Sequence, residues 1–408
     1  MSDEWTDDSD DSSSTRRKSS SQSSPTSARS HSPTSSRRDS STPTRPNSPA
    51  TPRRASTVTP RRGEFDFIER IRRQELRRLG RQNNSSLITH HSTLLTGIGD
   101  DAAVVRRRAG FDTIITADML VEGVDFRLEP TWTRARDLGH KALAVSLSDV
   151  AAMGARPRFC LLSVGLPAAR WRTRFLEEFY AGVRALAGRH GVAVIGGDTS
   201  RTPERVVIDS IVLGEVRRGR ALLRSGARAG DQIFVTGALG GAAAGLKILE
   251  GRAGRASRVK LTRAQRRLIS RQVKPEPRVE WGALLGERRL ATALIDLSDG
   301  LSSDLAHLCR ESGVGARVEA ALLPFDPLLK SAGARGTDAL SLALDGGEDF
   351  ELLFAVRPRD ASKLPREVGG VPATRVGEIT SARGKLRIVA GGRERALKPA
   401  GFEHFKRA

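Results

Sequence analysis

One repeated device constrains what this chain can fold into: a short apolar run joined by small residues to one or two acids. Gly97-Ile98-Gly99-Asp100-Asp101 follows Leu94 and Leu95, and Thr116-Ala117-Asp118 closes the run from Phe111 to Ile115. Gly196-Gly197-Asp198 follows Val192 to Ile195, and Asp296-Leu297-Ser298-Asp299-Gly300 follows Ala293 to Ile295. Gly346-Gly347-Glu348-Asp349 comes just before Leu352 to Val356. Apolar runs this short, punctuated by glycine, read as buried strands, each expected to deliver its acid at a strand end. Clustered carboxylates repel, so they need solvent, a proton or a cation. A solvated turn explains any one of them. Their recurrence in a chain without a histidine or cysteine cluster points instead to hard cations held around phosphates.

Two nucleotide motifs come close and fail. Gly97-x-Gly99-x-x-Ala102 resembles a dinucleotide-binding turn, but its acids sit where a pyrophosphate must approach backbone N–H groups. Gly240 to Lys247 nearly spells a P-loop, yet Leu246 separates Gly245 from the lysine and Ile248 stands where Ser or Thr must hold magnesium. It remains a glycine turn opening a helix.

Composition narrows the class further. The formal charge of +21 suggests nucleic acid, but the excess is arginine scattered along the chain, with few aromatics for base stacking. Nucleic acid is therefore not an expected partner. Cys160 and Cys309 are the only cysteines, which excludes a disulfide framework and a cysteine zinc site. No apolar run reaches membrane-spanning length, and the acidic N-terminus lacks the basic-then-apolar order of a signal peptide, so the expected location is cytoplasmic.

Residues 1–62 are rich in Ser, Thr, Pro and Arg and are expected to form a disordered tail, because they cannot bury enough apolar surface to offset ordering entropy. From Gly63 the pattern is α/β, in two parts: 63–214 and 215–408. Helices are expected at Arg134 to Gly154 and Arg174 to His190, and strands at Phe159 to Gly165, Val206 to Leu213 and Gln232 to Thr236. Ser146 and Asp149, three apart, share a helix face.

The full set of motifs resembles thiamine-monophosphate kinase. The matching segments are Gly97 to Asp101, Asp118-Met-Leu-Val-Glu-Gly123, Lys141 to Asp149, Gly196-Gly-Asp-Thr199, Arg224-Ser-Gly-Ala227, Ile295 to Leu301 and Gly346-Gly-Glu-Asp-Phe-Glu-Leu352. They run in family order from about Gly63 to the C-terminus. The resemblance implies an α/β (α+β) fold of the two-domain aminoimidazole-ribonucleotide synthetase type, with mixed sheets flanked by helices. It implies phosphorylation of thiamine monophosphate by ATP, with several Mg2+ ions, and a homodimer built on the N-terminal domains. Asp118, Asp198 and Asp296 would carry catalysis. Magnesium would sit on Asp100, Thr116, Asp118, Asp149, Asp198, Asp296 and Asp299. Tyr180, Gly197, Asp198, Arg224 and Ser298 would contact the nucleotide, and Glu348 and Phe402 the thiamine. At Ala117 the family usually has Thr, so that metal contact would come from backbone or water. At Asp125 it usually has His, and a carboxylate there suits a cationic thiazolium.

Elementary chemistry agrees with this reading. A phosphate monoester, with its second pKa near ~6, is largely dianionic at neutral pH and needs no general base. The obstacle is anion meeting anion. Two other readings compete: a different ATP-using member of the superfamily, and a nucleotide- or thiamine-diphosphate-binding regulator without turnover.

Overall fold

The structure is a computed structural model that describes residues 108–128, 132–252, 260–331 and 336–402, with short pieces between residues 70 and 105. The tail and the Asp100/Asp101 pair lie outside the described residues. Strands β1 (Leu94–Thr96) and β2 (Val104–Val105) pair as an antiparallel ribbon.

The first large sheet contains β3 (Phe111–Val121), β4 (Arg156–Leu166), β5 (Ala193–Arg201) and β6 (Val207–Arg217), in the order β3-β6-β4-β5. Its pairs are antiparallel except β4 with β5. Side chains alternate along β3: Thr116, Asp118 and Leu120 are at least partly covered, while Ile115 and Met119 are 67% and 61% exposed. Two expectations need correcting here. Asp118 and Asp198 do not end their strands. β3 continues to Val121 and β5 to Arg201, because ladder pairing with β6 and β4 carries both chains past the acids. Strand β6 runs to Arg217, within the stretch from Gly214 to Gly219 where the two parts of the chain are expected to meet.

The helix Ala135–Ala152 is buried on nearly every side, from Leu138 through Ser148 without interruption. This explains why its sequence lacks a clear polar face: one side packs on the first sheet and the opposite side on the second. It crosses the helix Thr173–Arg189 at backbone contact. A Cβ at Gly139 would lie 1.9 Å from the Phe179 carbonyl oxygen, and one at Gly182 would lie 1.9 Å from that of Arg136. Glycine, normally a poor helix former, is there because no side chain fits.

The second sheet has eight strands: β7 (Gln232–Thr236), β8 (Ala293–Asp296), β9 (Gly315–Glu319), β10 (Leu352–Val356), β11 (Glu367–Val368), β12 (Val371–Thr380), β13 (Leu386–Ala390) and β14 (Arg393–Ala396). Their order is β14-β13-β9-β12-β7-β10-β8, with β11 beside β12. Strand β10 is apolar throughout and β8 is apolar up to Asp296, because both faces of each are buried. Leu294, Leu352, Phe354 and Val356 join the core around the 135–152 helix, while Ile295, Leu353 and Ala355 join a second core under the helix Leu301–Ser312. The two halves thus share one apolar cluster. No helix among the described residues is long and apolar enough to cross a membrane.

The helix crossing gives a direct test. Gly139→Ala is expected to destabilise the protein by about 2–3 kcal/mol, the usual cost of overpacking. Gly188→Ala, in the crossing helix but with nothing within 4 Å of its Cβ position, is expected to be neutral or stabilising by up to ~1 kcal/mol. Thermal denaturation of the two variants reads the difference; equal melting temperatures would remove the close-contact account.

Candidate active site

The 135–152 helix distributes the polar groups of the site. At helical spacing Lys141, Val145 and Ser148 form one stripe and Ala142, Ser146 and Asp149 the adjoining one. The second stripe faces the first sheet: Ser146 Oγ donates to the Ser210 carbonyl at 2.9 Å, and the Thr116 hydroxyl donates to the Asp149 carboxylate. The first stripe faces the second sheet, where Ser148 Oγ donates to Asp296 Oδ2 at 2.7 Å. Asp118, Asp149 and Asp296 therefore come from three elements and two sheets to meet around one helix.

These acids are held against their own charge. Burial, then the Asp149 charge, pushes Asp118 up to about 7, despite a hydrogen bond from Ser146. Its Oδ2 is buried without a hydrogen-bond partner. Asp296 is pushed up to about 7 by burial and then by Asp149, with Ser148 and Arg224 opposing. Asp304, in the first turn of the 301–312 helix, accepts N–H groups of Asp299 and Gly300 at 3.2 and 3.1 Å. Burial, followed by Asp296 and Asp299, pushes it up to about 8. An orphaned buried oxygen among carboxylates that resist ionisation is the donor set a hard divalent cation satisfies. Among the described residues, no three such ligands are gathered closely enough to enclose an ion alone.

A cavity of about 280 Å³ opens beside Asp118. Asp118, Asp125, Ser298, Asp299, Glu348 and Phe402 all line it, so six of the expected site residues share one space. Strand β8 stops at Asp296 rather than continuing to Ser298, and the bend that follows turns Ser298 and Asp299 toward this cavity. Asp125 spends one carboxylate oxygen on the Val121 N–H at 2.7 Å, closing its own turn. The loop 346–350 is strained: Gly347, Glu348 and Phe350 have φ of 67°, 57° and 49°. It is pinned by Glu348 N–H to the Ser298 carbonyl at 2.7 Å and Phe350 N–H to that of Leu297 at 2.9 Å.

Sequence reasoning missed the groups that hold Glu348. Lys141, 2% exposed, donates to Glu348 Oε1 at 2.6 Å and to the Asp125 carbonyl at 3.1 Å, and the Gln272 amide donates to the other carboxylate oxygen. A lysine inside an otherwise buried helix was a usable signal for the first. Nothing in the sequence marks Gln272, which arrives on a separate helix, Arg263–Val273.

The structure does not bring every expected residue to the cavity. Asp198 is exposed on the edge strand β5, accepts the Thr199 N–H at 2.8 Å, and lies three strand spacings from β3, roughly 14 Å. At Gly197 a Cβ would meet the Leu162 carbonyl at 2.0 Å, so strand pairing alone requires this glycine. Tyr180 is 6% exposed and packs edge-on against Phe179 in the core. Arg224 is exposed, close enough for its charge to act on Asp296. Thr116 is engaged by Asp149, and Ala117 turns to the outer face of the sheet. The glycine turn at Gly240 holds a carboxylate instead of a phosphate: Asp349 accepts the Gly240 and Ala242 N–H groups at 2.7 and 3.1 Å.

A two-lobed fold with acids gathered between mixed sheets defines a superfamily. Residues 99–216 match the AIR synthase related protein N-terminal domain, and residues 228–389 match the C-terminal domain. Within it the chain belongs to the thiamine-monophosphate kinase family. It is 36% identical over 326 residues to the thiamine-monophosphate kinase of Bacillus subtilis, covering 78% of this chain and 95% of that one. With the Escherichia coli K12 enzyme it is 41% identical over 313 residues, covering 76% and 91%. The crystal structure of thiamine-monophosphate kinase from Stenotrophomonas maltophilia superposes with a TM-score of 0.69 at 40% identity, over 80% of this chain and 96% of that one. A ThiL structure complexed with AMPPCP and TMP superposes at 0.64 with 30% identity, covering 84% and 97%.

The buried acids have a measurable cost. A carboxyl raised from 3.8 to about 7 carries no penalty below pH 4, a growing one from pH 4 to 7, and the full one above. In EDTA, Asp296→Asn is therefore expected to melt several degrees above the parent at pH 8, a gain on the order of a few kcal/mol at most, with the gap shrinking toward pH 5. A gap of constant size across that range would mean that Asp296 is not held against its charge.

Proposed function

We propose that the protein transfers the γ-phosphate of ATP directly and in line to the phosphate of thiamine monophosphate, giving thiamine diphosphate, the last step of making that cofactor. The observation that carries this reading is the shared cavity, lined together by Asp118, Asp299, Glu348, Asp125 and Phe402. Family membership and the relative solved with an ATP analogue and TMP support the same substrates.

The residues divide the work by charge. Asp118, Asp149, Asp296 and Asp299 would hold magnesium, with Asp100 and Asp198 in the wider set. Bound there, the ions neutralise the polyphosphate and the charge developing on the transferred group. Glu348 and Asp125 face the cationic thiazolium, and Phe402 with Trp132 supplies flat apolar surface. Lys141 and Gln272 fix the Glu348 carboxylate so that it meets substrate in one orientation. Ser298 and Arg224 would lie toward the nucleotide. The acceptor phosphate is already dianionic, so no side chain has to remove a proton.

A homodimer fits the first sheet. Ile115 and Met119 project from the outer face of β3, and the same face carries Leu213, Phe159 and Leu161 along the ladder register. A second copy packed there would remove this apolar surface from water.

Full-length protein given ATP, magnesium and thiamine monophosphate is expected to form thiamine diphosphate, detected by chromatography. Asp118→Asn and Asp296→Asn should each lower kcat on the order of a hundredfold or more while remaining folded, and the double variant should fall little further. Near-normal rates in both single variants would end the metal-cluster reading. Phe402→Ala should raise the KM for thiamine monophosphate and leave that for ATP unchanged; a shift in the ATP value alone removes Phe402 from the acceptor pocket.

A further inference from the structure

A second cavity, about 400 Å³, lies on the other side of the 263–273 helix from the acceptor pocket. Its wall is basic where the first is acidic. Arg267, Arg271 and Lys274 follow one another at helical spacings of four and three and all line it, as does Arg278.

The acids nearby do not cancel this ridge. Arg271 Nε lies 3.1 Å from Asp326 Oδ2, and Arg278 is paired with the buried Glu351. Glu276, on the rim, is taken by Arg189 at 2.7 Å, and Asp349 is engaged at the N-terminus of the helix Gly241–Glu250. Among the described residues, Arg267 and Lys274 form no ion pair with any carboxylate. The Ser270 side chain adds a hydroxyl donor to the same wall. A guanidinium, an ammonium and a hydroxyl in a concave site of this size form an oxyanion receptor, and two cations without acids match a ligand with adjacent phosphates.

Two covalent links join this cavity to the acceptor pocket. Arg271 precedes Gln272, whose amide holds Glu348, and Lys274 follows it by two residues. Asp349, on the wall of the second cavity, is the next residue to Glu348. We infer that this basic cavity binds a small diphosphate-bearing anion through Arg267 and Lys274, and that its occupancy changes acceptor binding through Gln272 and Glu348. The first part stands without the kinase reading; the second rests on it.

The test uses the full chain with inorganic pyrophosphate and, separately, ADP, titrated calorimetrically in EDTA so that the acid site has no cation with which to hold phosphate. Both are expected to bind. Equal affinities identify the diphosphate as the recognised group, and tighter ADP binding identifies a nucleoside diphosphate. Arg267→Glu with Lys274→Glu should weaken binding at least tenfold, and the gentler R267Q/K274Q pair should weaken it less. A charge-matched control on exposed arginines elsewhere, R383E/R395E, should bind like the parent. No binding by the parent, retained binding in R267E/K274E, or equal loss in the control would overturn the site. For the coupling, pyrophosphate at fixed free magnesium should shift the KM for thiamine monophosphate at least twofold more in the parent than in R267Q/K274Q. Identical shifts would overturn the coupling, and absence of turnover with intact binding would count against the kinase reading alone.

Discussion

The site depends on keeping several carboxylates close together in a place that water only partly reaches. Asp118 and Asp296 come from different sheets, and each is raised to about 7 first by burial and second by Asp149. The 135–152 helix makes this arrangement possible. Its core packing fixes the backbone, and its small polar side chains then ease the burial of the acids: Ser148 donates to Asp296, and the Ser146 hydroxyl beside Asp118 opposes the rise in its pKa. Serine is suited to this because a short hydroxyl donates without separating the helix from the sheet. The remaining deficit, concentrated on the unpartnered Asp118 oxygen, is what a bound cation would relieve. Stability and function therefore oppose each other at these positions.

Much of the fold was legible because its signals are local. The apolar runs at 111–115, 192–195, 293–295 and 352–356 are strands, and both long N-terminal helices fall within a residue or two of expectation. What failed was the idea that each acid ends its strand. Whether β3 stops at Asp118 or runs on to Val121 is decided by β6, nearly ninety residues away in the chain, which offers partners through Val207. Gly197 was legible as a place of close approach, and the Leu162 carbonyl is one group that approaches it. Tyr180, named through the family resemblance, packs its ring edge-on against Phe179. Lys141 and Gln272 show the opposite failure: their role exists only because a strained loop from the second half brings Glu348 onto them.

The 346–351 segment shows why a cluster of acids in sequence need not be a cluster in space. Glu348 points into the acceptor cavity toward Lys141. Asp349 turns the other way to the N–H groups of Gly240 and Ala242, where the helix dipole favours negative charge. Glu351 enters the core and meets Arg278 and the Thr236 hydroxyl. Three acids within four residues thus reach three separate destinations, each with its own donors. Such divergence requires the backbone to reverse at nearly every step, which is why Gly347, Glu348 and Phe350 all adopt left-handed φ. Glycine allows the first reversal freely, whereas Glu348 and Phe350 cost energy that the Ser298 and Leu297 carbonyls help to offset. The strain is local, but its supports come from the bend after β8, the 135–152 helix and the 263–273 helix. The cavity can form only once all three have packed, and the Glu348 carboxylate takes its position from the assembled core.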